Sequence, residues 1–335
     1  MSYSSFELLD HSRPIVVFGR DGQVGRALQI CLNDLNVPAV FLGRADCDLT
    51  SESSIVEVLN HCQPKVIINA AAYTEVDKAE SEPELAFAIN AKAPELMAQY
   101  IAKVKDGLLI HYSADYVFGD SKKTSYVETD IPGPMSQLNA YGKSKLAGEV
   151  AIEKIFSVIQ NETSSDSKNK PRYLILRTSW AYGDGDNFIR KILNLAFIQD
   201  GLCVVDDQIG VPTSASWLVE ISLNLGFSRA SSGIYHVVPD GEASWYHIAK
   251  LSIEEARQNG CHFTLKSENL QSISTLKYGS VAKRPHNSRM SNKKLRRALS
   301  EAGINVLIPH WSNQVKTYVK KYTESTMKTN STLIV

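Results

Sequence analysis

The run Ile15-Val16-Val17-Phe18-Gly19-Arg20-Asp21-Gly22-Gln23-Val24-Gly25 decides the fold. Four apolar residues without polar alternation suit a strand covered on both faces, as in a parallel sheet. The spacing of the following residues, 26–33, predicts a helix. Between strand and helix stand three glycines. They let the chain turn tightly, let backbone approach a pyrophosphate and let helix and strand pack closely, while the helix N-terminus attracts negative charge. A glycine triplet alone is a weak sign; its placement between strand and helix makes it a dinucleotide-binding turn. Gly19, Asp21, Gly22, Gln23, Val24 and Gly25 are therefore the expected cofactor contacts.

Outward from this turn, short apolar or β-branched runs recur at 39–42, 65–69, 108–112 and 173–176, separated by helix-length segments. That rhythm predicts an α/β protein: a Rossmann-type doubly wound parallel sheet carrying a smaller C-terminal substrate-binding lobe. The expected division is an N-terminal tail over 1–13 and a nucleotide-binding domain over 14–185, to which later segments return. The half beyond Asn187 reads as helices broken by short strands at 202–205 and 233–238; the lobe occupies most of 186–323, and 324–335 is a flexible tail. The polar stretch between Val158 and Arg172 reads as a surface loop.

Where NAD-selective sites place an acidic residue to hold the ribose 2′-hydroxyl, the second strand ends in Leu42-Gly43-Arg44. Arg44 suits a 2′-phosphate, so NADPH is the expected cofactor, with NADH the alternative. Asp48, just before Leu49, is placed to meet the adenine amine. Ala70, Ala71 and Ala72, after Asn69, are small enough for a cofactor to lie against.

The chemistry-bearing motif is Tyr141-Gly142-Lys143-Ser144-Lys145. Positions i and i+4 share a helix face, so Lys145 can bring its ammonium to the Tyr141 phenol and to the cofactor ribose. A nearby cation favours the phenolate and brings the phenol toward working pH, where it can give a proton to a substrate oxygen. The spacing occurs twice, at Tyr141/Lys145 and Tyr246/Lys250. Only the first follows the fourth strand; Tyr246 follows a helix start at Gly241-Glu242-Ala243-Ser244 and reads as a packing residue.

Seven ordered segments, 22–25, 69–79 (NAAAYTEVDKA), 112–118 (YSADYVF), 141–149, 177–180 (RTSW), 207–213 (DQIGVPT) and 284–288 (RPHNS), together resemble the dTDP-4-dehydrorhamnose reductase family across nearly the whole chain. The resemblance implies an extended short-chain dehydrogenase/reductase acting on a dTDP-4-keto-6-deoxysugar and making dTDP-L-rhamnose for surface polysaccharide such as lipopolysaccharide. It implies Tyr141 and Lys145 as the catalytic pair, with Asn90 supporting the lysine through water. Thr74, Val76, Asp115, Tyr116 and Trp180 would line the substrate, and Arg284 and Asn287 would hold its nucleotide end.

Ala114 departs from the family pattern, which places threonine or serine there to hydrogen-bond the substrate carbonyl. Losing one such donor costs about 10²-fold or more in rate when nothing replaces it. The gap leaves open a reductase of another dTDP-keto sugar, such as a dihydrostreptose synthase, and a non-catalytic regulatory subunit like the beta subunit of methionine adenosyltransferase. An NAD-bound epimerase or dehydratase, with Asp115 as the extra acid, is a further alternative.

Composition narrows the partners. The 335 residues carry 36 basic and 36 acidic side chains, so charge favours neither nucleic acid nor an anionic membrane. Five scattered cysteines without a CxxC pair predict reduced thiols in a cytoplasm rather than a disulfide framework or zinc site. No metal is expected. No signal segment or membrane span is read, and the expected assembly is a monomer or homodimer.

Overall fold

A computed structural model describes residues 13–162, 170–228 and 230–332. The expected tail over 1–13 lies almost wholly outside these, as do the middle of the polar stretch after Val158 and residues 333–335.

Six parallel strands form the central sheet: β1 (Ile15–Phe18), β2 (Ala39–Leu42), β3 (Val66–Asn69), β4 (Leu108–Ala114), β5 (Arg172–Thr178) and β6 (Gly233–His236), in the order β6-β5-β4-β3-β1-β2. The chain runs from β1 to β2 on one side and returns to β3 on the other. The C-terminal ends of β1 and β3 therefore flank the topological switch point, where doubly wound sheets bind ligands.

Both faces are covered, which explains the continuous apolar runs. Ile15 and Val17 face α1 (Gln23–Asp34), whereas Val16 and Phe18 face the layer of α2 (Glu52–Cys62). A helical stretch follows β3 in three pieces, α3 (Pro83–Phe87), a π-turn at Ala88–Lys92 and α4 (Ala93–Ile101). With α2, α4 and α5 (Ala140–Glu162) cover the second face.

The lobe has its own core, in which α6 (Phe188–Ile198), α8 (Trp245–Gln258) and α10 (Trp311–Thr332) pack together. Later segments return to the sheet domain. Strand β6 pairs with β5, and α7 (Ala215–Gly226) packs beside α1, because Trp217, Leu218 and Ile221 complete the first face. Helix α9 (Lys293–Glu301) adds Leu295 and Leu299 there. The tail expected from 324 is helical as far as Thr332, and α5 extends through Glu162 into the expected loop.

Strands β4 and β5 each run two residues beyond their apolar cores. Their pairing carries Ser113 and Ala114, with Arg177 and Thr178, into the ladder at the ligand-binding end of the sheet.

Candidate active site

The glycine turn has the shape a pyrophosphate cradle needs. Gly19 has φ +90°, and a Cβ there would stand 2.6 Å from the Ala71 nitrogen, so turn and β3 loop touch backbone to backbone. A Cβ on Gly25 would strike the Gly19 carbonyl oxygen, which locks α1 against the turn. Gly22 is different: the nearest atom to a Cβ would be the Gly19 oxygen at 3.5 Å, so its outer side is open. Gly22 also caps α1 without any side-chain bond, leaving the first-turn N–H groups for an anion. The buried Gln23 Oε1 has no partner among the described residues.

Arg44 is exposed past the end of β2, beside Gly43, where a Cβ would collide with the side chains of Arg20 and Asp21. Arg20 in turn pairs with Asp46 at 2.9 Å. Asp48 is committed to a turn: its Oδ1 accepts from the Thr50 backbone at 2.9 Å and hydroxyl at 2.7 Å, which holds its carboxyl below the usual range. Only its second oxygen is left for an adenine amine. Leu49 is half-buried and packs against the core of the second face, and Ala70, Ala71 and Ala72 are half-buried along the turn.

Helix α5 begins where it does because Asn139 Oδ1 accepts from the Gly142 N–H at 2.7 Å and Glu80 accepts from the Ala140 N–H at 2.7 Å. That fixes Tyr141 in the first turn and Lys145 one turn on. Lys145 is 2% exposed, and its Nζ donates to the Tyr112 carbonyl oxygen at 2.7 Å. Burial brings the Lys145 ammonium down to about 8, opposed by the charge of Glu149. Lysine also keeps the buried His111 neutral, after burial itself, and Asn69 Nδ2 lies 3.0 Å from the His111 Nδ1.

The expected lowering of the Tyr141 phenol is reversed. Burial, with the Asp115 charge and Tyr116, pushes it up. The lysine donates its hydrogen bond to a backbone carbonyl, while the phenol has an acidic side chain for a neighbour. A raised phenol keeps its proton, the state an acid must hold before it donates one.

Asn90 lies in the π-turn and is 1% exposed. Its side chain accepts from the Tyr73 N–H at 2.9 Å and donates to the Tyr73 carbonyl at 3.0 Å and the Ser144 hydroxyl at 3.0 Å. The amide thus fixes the loop after β3 to α5, the helix that carries the lysine. The π-turn presents Asn90 there because its carbonyl lies where Gly148 of α5 leaves room.

Around Tyr141 a ring of side chains assembles. The Tyr116 ring packs edge-on against Tyr141 at 5.5 Å, and Tyr116 meets the Arg284 side chain. Arg284 is held by Asp77 at 2.7 Å, next to half-buried Val76 and exposed Thr74. Asp115 is buried against Ser288, and burial pushes its carboxyl up to about 7. Asn287 is a correction: its Nδ2 donates to the Lys122 and Thr124 carbonyls at 2.7 and 2.9 Å, so it ties two loops together and has no donor left for a nucleotide.

Trp180 leaves β5 with φ +47°, an outlier for so large a side chain. Its ring stacks on Trp245 at 3.9 Å, and Trp245 Nε1 donates to the Gln208 Oε1 at 3.1 Å. Gly210 is required beneath, since a Cβ would come within 2.8 Å of the Trp180 ring. Trp245, Gln208 and Asp77 escape sequence reasoning, because each meets its partner across the fold. Tyr246 and Lys250 lie on α8, the tyrosine packed against the lobe core and the lysine exposed.

A glycine cradle at the switch point of a doubly wound sheet, with half-buried Tyr141 and buried Lys145 one turn apart on α5, defines a nicotinamide-dependent oxidoreductase of the short-chain dehydrogenase class. Residues 13–324 match the family described as the RmlD substrate binding domain, and the chain belongs to that family. A dTDP-4-dehydrorhamnose reductase of Escherichia coli K12 is 37% identical over 310 residues, 90% of this chain and 95% of the relative. Among solved structures, a dTDP-4-dehydrorhamnose reductase of Bacillus anthracis in complex with NADP is 29% identical with TM-score 0.75, covering 91% of this chain and 98% of that one. Its counterpart from Clostridium acetobutylicum is 31% identical with TM-score 0.77, over 92% and 99%.

Among the described residues no helix is long and apolar enough to cross a membrane, no three metal-ligating side chains cluster, and no cysteine forms a disulfide.

Proposed function

We propose that this chain reduces the C4 ketone of a dTDP-4-keto-6-deoxysugar, converting dTDP-4-keto-L-rhamnose to dTDP-L-rhamnose, with NADPH as donor. The observation that supports the reading is Tyr141 in the first turn of α5 with Lys145 one turn on, buried and bonded to the Tyr112 carbonyl of β4. When bound, the reduced nicotinamide supplies the hydride to C4. Tyr141 supplies the proton to the carbonyl oxygen, so the ketone becomes a secondary alcohol and the phenol is left as phenolate, which the Lys145 ammonium stabilises.

The open side of Gly22 and the uncapped α1 terminus suit the pyrophosphate, and Arg44 suits a 2′-phosphate. Trp180, Tyr116, Val76 and Thr74 would line the sugar, with Arg284, aimed by Asp77, on the diphosphate side. Every group comes from one chain, so a monomer or a homodimer satisfies the reading, and a cytoplasm would keep its thiols reduced.

Ala114 favours a second reading, a reductase of a different dTDP-keto sugar. Incubation with dTDP-4-keto-6-deoxyglucose and NADPH, with and without the 3,5-epimerase, separates the two. Formation of dTDP-rhamnose only with the epimerase is expected; another sugar as the product would overturn the leading reading.

A further inference from the structure

We propose that Glu149, clamped by Arg177, is a positioning residue of the reaction: it is the counter-charge that holds Lys145 as an ammonium on β4, where it can serve Tyr141. The proposal rests on the reductase reading above and adds a residue to which that reading gives no part.

Positions 145 and 149 are one helical turn apart on α5, so their side chains share a face, about 6 Å apart at Cβ. Both are buried, Lys145 at 2% exposure and Glu149 at 1%. A buried ammonium needs a compensating charge or it gives up its proton. Among the described residues Lys145 donates to the neutral Tyr112 carbonyl and forms no ion pair. Burial lowers its proton affinity, and Glu149 is the group that opposes burial.

The other groups around the lysine cannot take this part. His111 and Ser113 flank Tyr112 on the face of β4 that α5 covers; burial and the lysine charge keep the histidine neutral, and the serine carries no charge. Asn90 and Ser144 are neutral and bond to each other. Asp115 and Tyr116 act on the Tyr141 phenol, and Glu80 caps the Ala140 N–H.

Arg177 fixes the carboxylate. It leaves β5 toward α5, is 1% exposed, and its Nε and Nη2 donate to the two Glu149 oxygens at 2.9 and 2.6 Å. That bidentate fork sets the orientation of the carboxylate, and the Phe118 ring lies 4.9 Å from the guanidinium carbon. On its other sides Arg177 is faced by His236 of β6, kept neutral mainly by burial, and by Glu128, Glu153 and Lys294.

The test compares wild type with Glu149→Gln, the double variant Arg177→Met/Glu149→Leu and the control Glu153→Gln, one turn further along α5. The readouts are the pH profile of kcat/KM on epimerase-generated dTDP-4-keto-L-rhamnose, the titration of the Lys145 ε-carbon by NMR, assigned with Lys145→Arg, and thermal unfolding. In wild type both titrations should fall at about 8. Glu149→Gln should move both down by about one pH unit, the scale of one nearby buried charge. Activity is then close to wild type near pH 6 and about tenfold lower near pH 9, whereas a merely structural loss lowers it alike at every pH. Glu149→Gln leaves Arg177 unpaired and should unfold earlier; the double variant removes both charges, regains that stability and still titrates below wild type. If Glu149→Gln does not fold, the double variant decides. Glu153→Gln should titrate as wild type does. A wild-type titration in the folded Glu149 variants overturns the proposal, as does a loss independent of pH or an equal shift in Glu153→Gln. A wild type that reduces none of the keto sugar overturns the reductase reading instead, and the NMR titration then decides alone whether Glu149 sets the lysine charge.

Discussion

The Lys145 ammonium donates to the Tyr112 backbone carbonyl at 2.7 Å, so the lysine proposed to serve Tyr141 is anchored to the central strand. Burial places its proton loss at about pH 8. Because the ammonium is the working form, kcat/KM, which reports the free enzyme, should fall as pH rises through about 8. Lys145→Arg should move that limb above the accessible range, whatever activity it retains. A flat profile from pH 7 to 9.5 in the wild type would remove Lys145 from its role.

Tyr141→Phe removes the acid and little else, since the ring packing on Tyr116 is kept. The expected outcome is a loss of about 10²–10⁴-fold in kcat with NADPH affinity nearly unchanged. Steady-state kinetics with a fluorescence titration of NADPH check it; undiminished turnover would refute the assignment.

Two glycines of one turn should behave differently. Gly25→Ala drives a Cβ into the Gly19 carbonyl and should destabilise the protein by about 1–3 kcal/mol, read as a lowered unfolding midpoint. Gly22→Ala, with 3.5 Å of clearance and φ −78°, should fold normally yet bind NADPH about tenfold more weakly, because its methyl occupies the cofactor side. Equal effects in both assays would argue against the cradle.

Arg44→Ala should raise the Kd of NADPH by about tenfold, the scale of one charge-assisted hydrogen bond, and leave NADH within about twofold. Paired titrations with the two cofactors decide this. Parallel weakening of both would return Arg44 to an ordinary surface arginine.

Asp115 provides a stability test with a defined sign. Its carboxyl is raised in the fold to about 7, mainly by burial, so folding favours the protonated form. The contribution is present in full below the unfolded value near 3.8 and is lost as pH rises through 7. Asp115→Asn cannot ionise, so its unfolding temperature relative to wild type should increase between pH 5 and pH 8. A pH-independent difference would mean that the carboxyl is already ionised at pH 5.

The sheet was largely legible because its strands are buried on both faces and read as unbroken apolar runs. Legibility stopped where the strands turned polar: Ser113, Ala114, Arg177 and Thr178 lie in the ladder through pairing rather than through hydrophobicity. Which later segments return to the sheet is not legible, because an apolar face such as that of β6 or α7 does not name the core that it joins. Asn287 illustrates the same gap, since a matching motif position cannot tell that its amide is spent on Lys122 and Thr124.

From sequence alone came the properties set by local chemistry: the glycine turn between strand and helix, and one helical turn separating Tyr141 from Lys145. The tertiary structure decided which carbonyl holds the lysine, which way the phenol's proton affinity moves, that Asp77 aims Arg284, and that Thr178 stands opposite Ala114. Those depend on register and burial, which arise only when residues distant in the chain share one low-polarity interior.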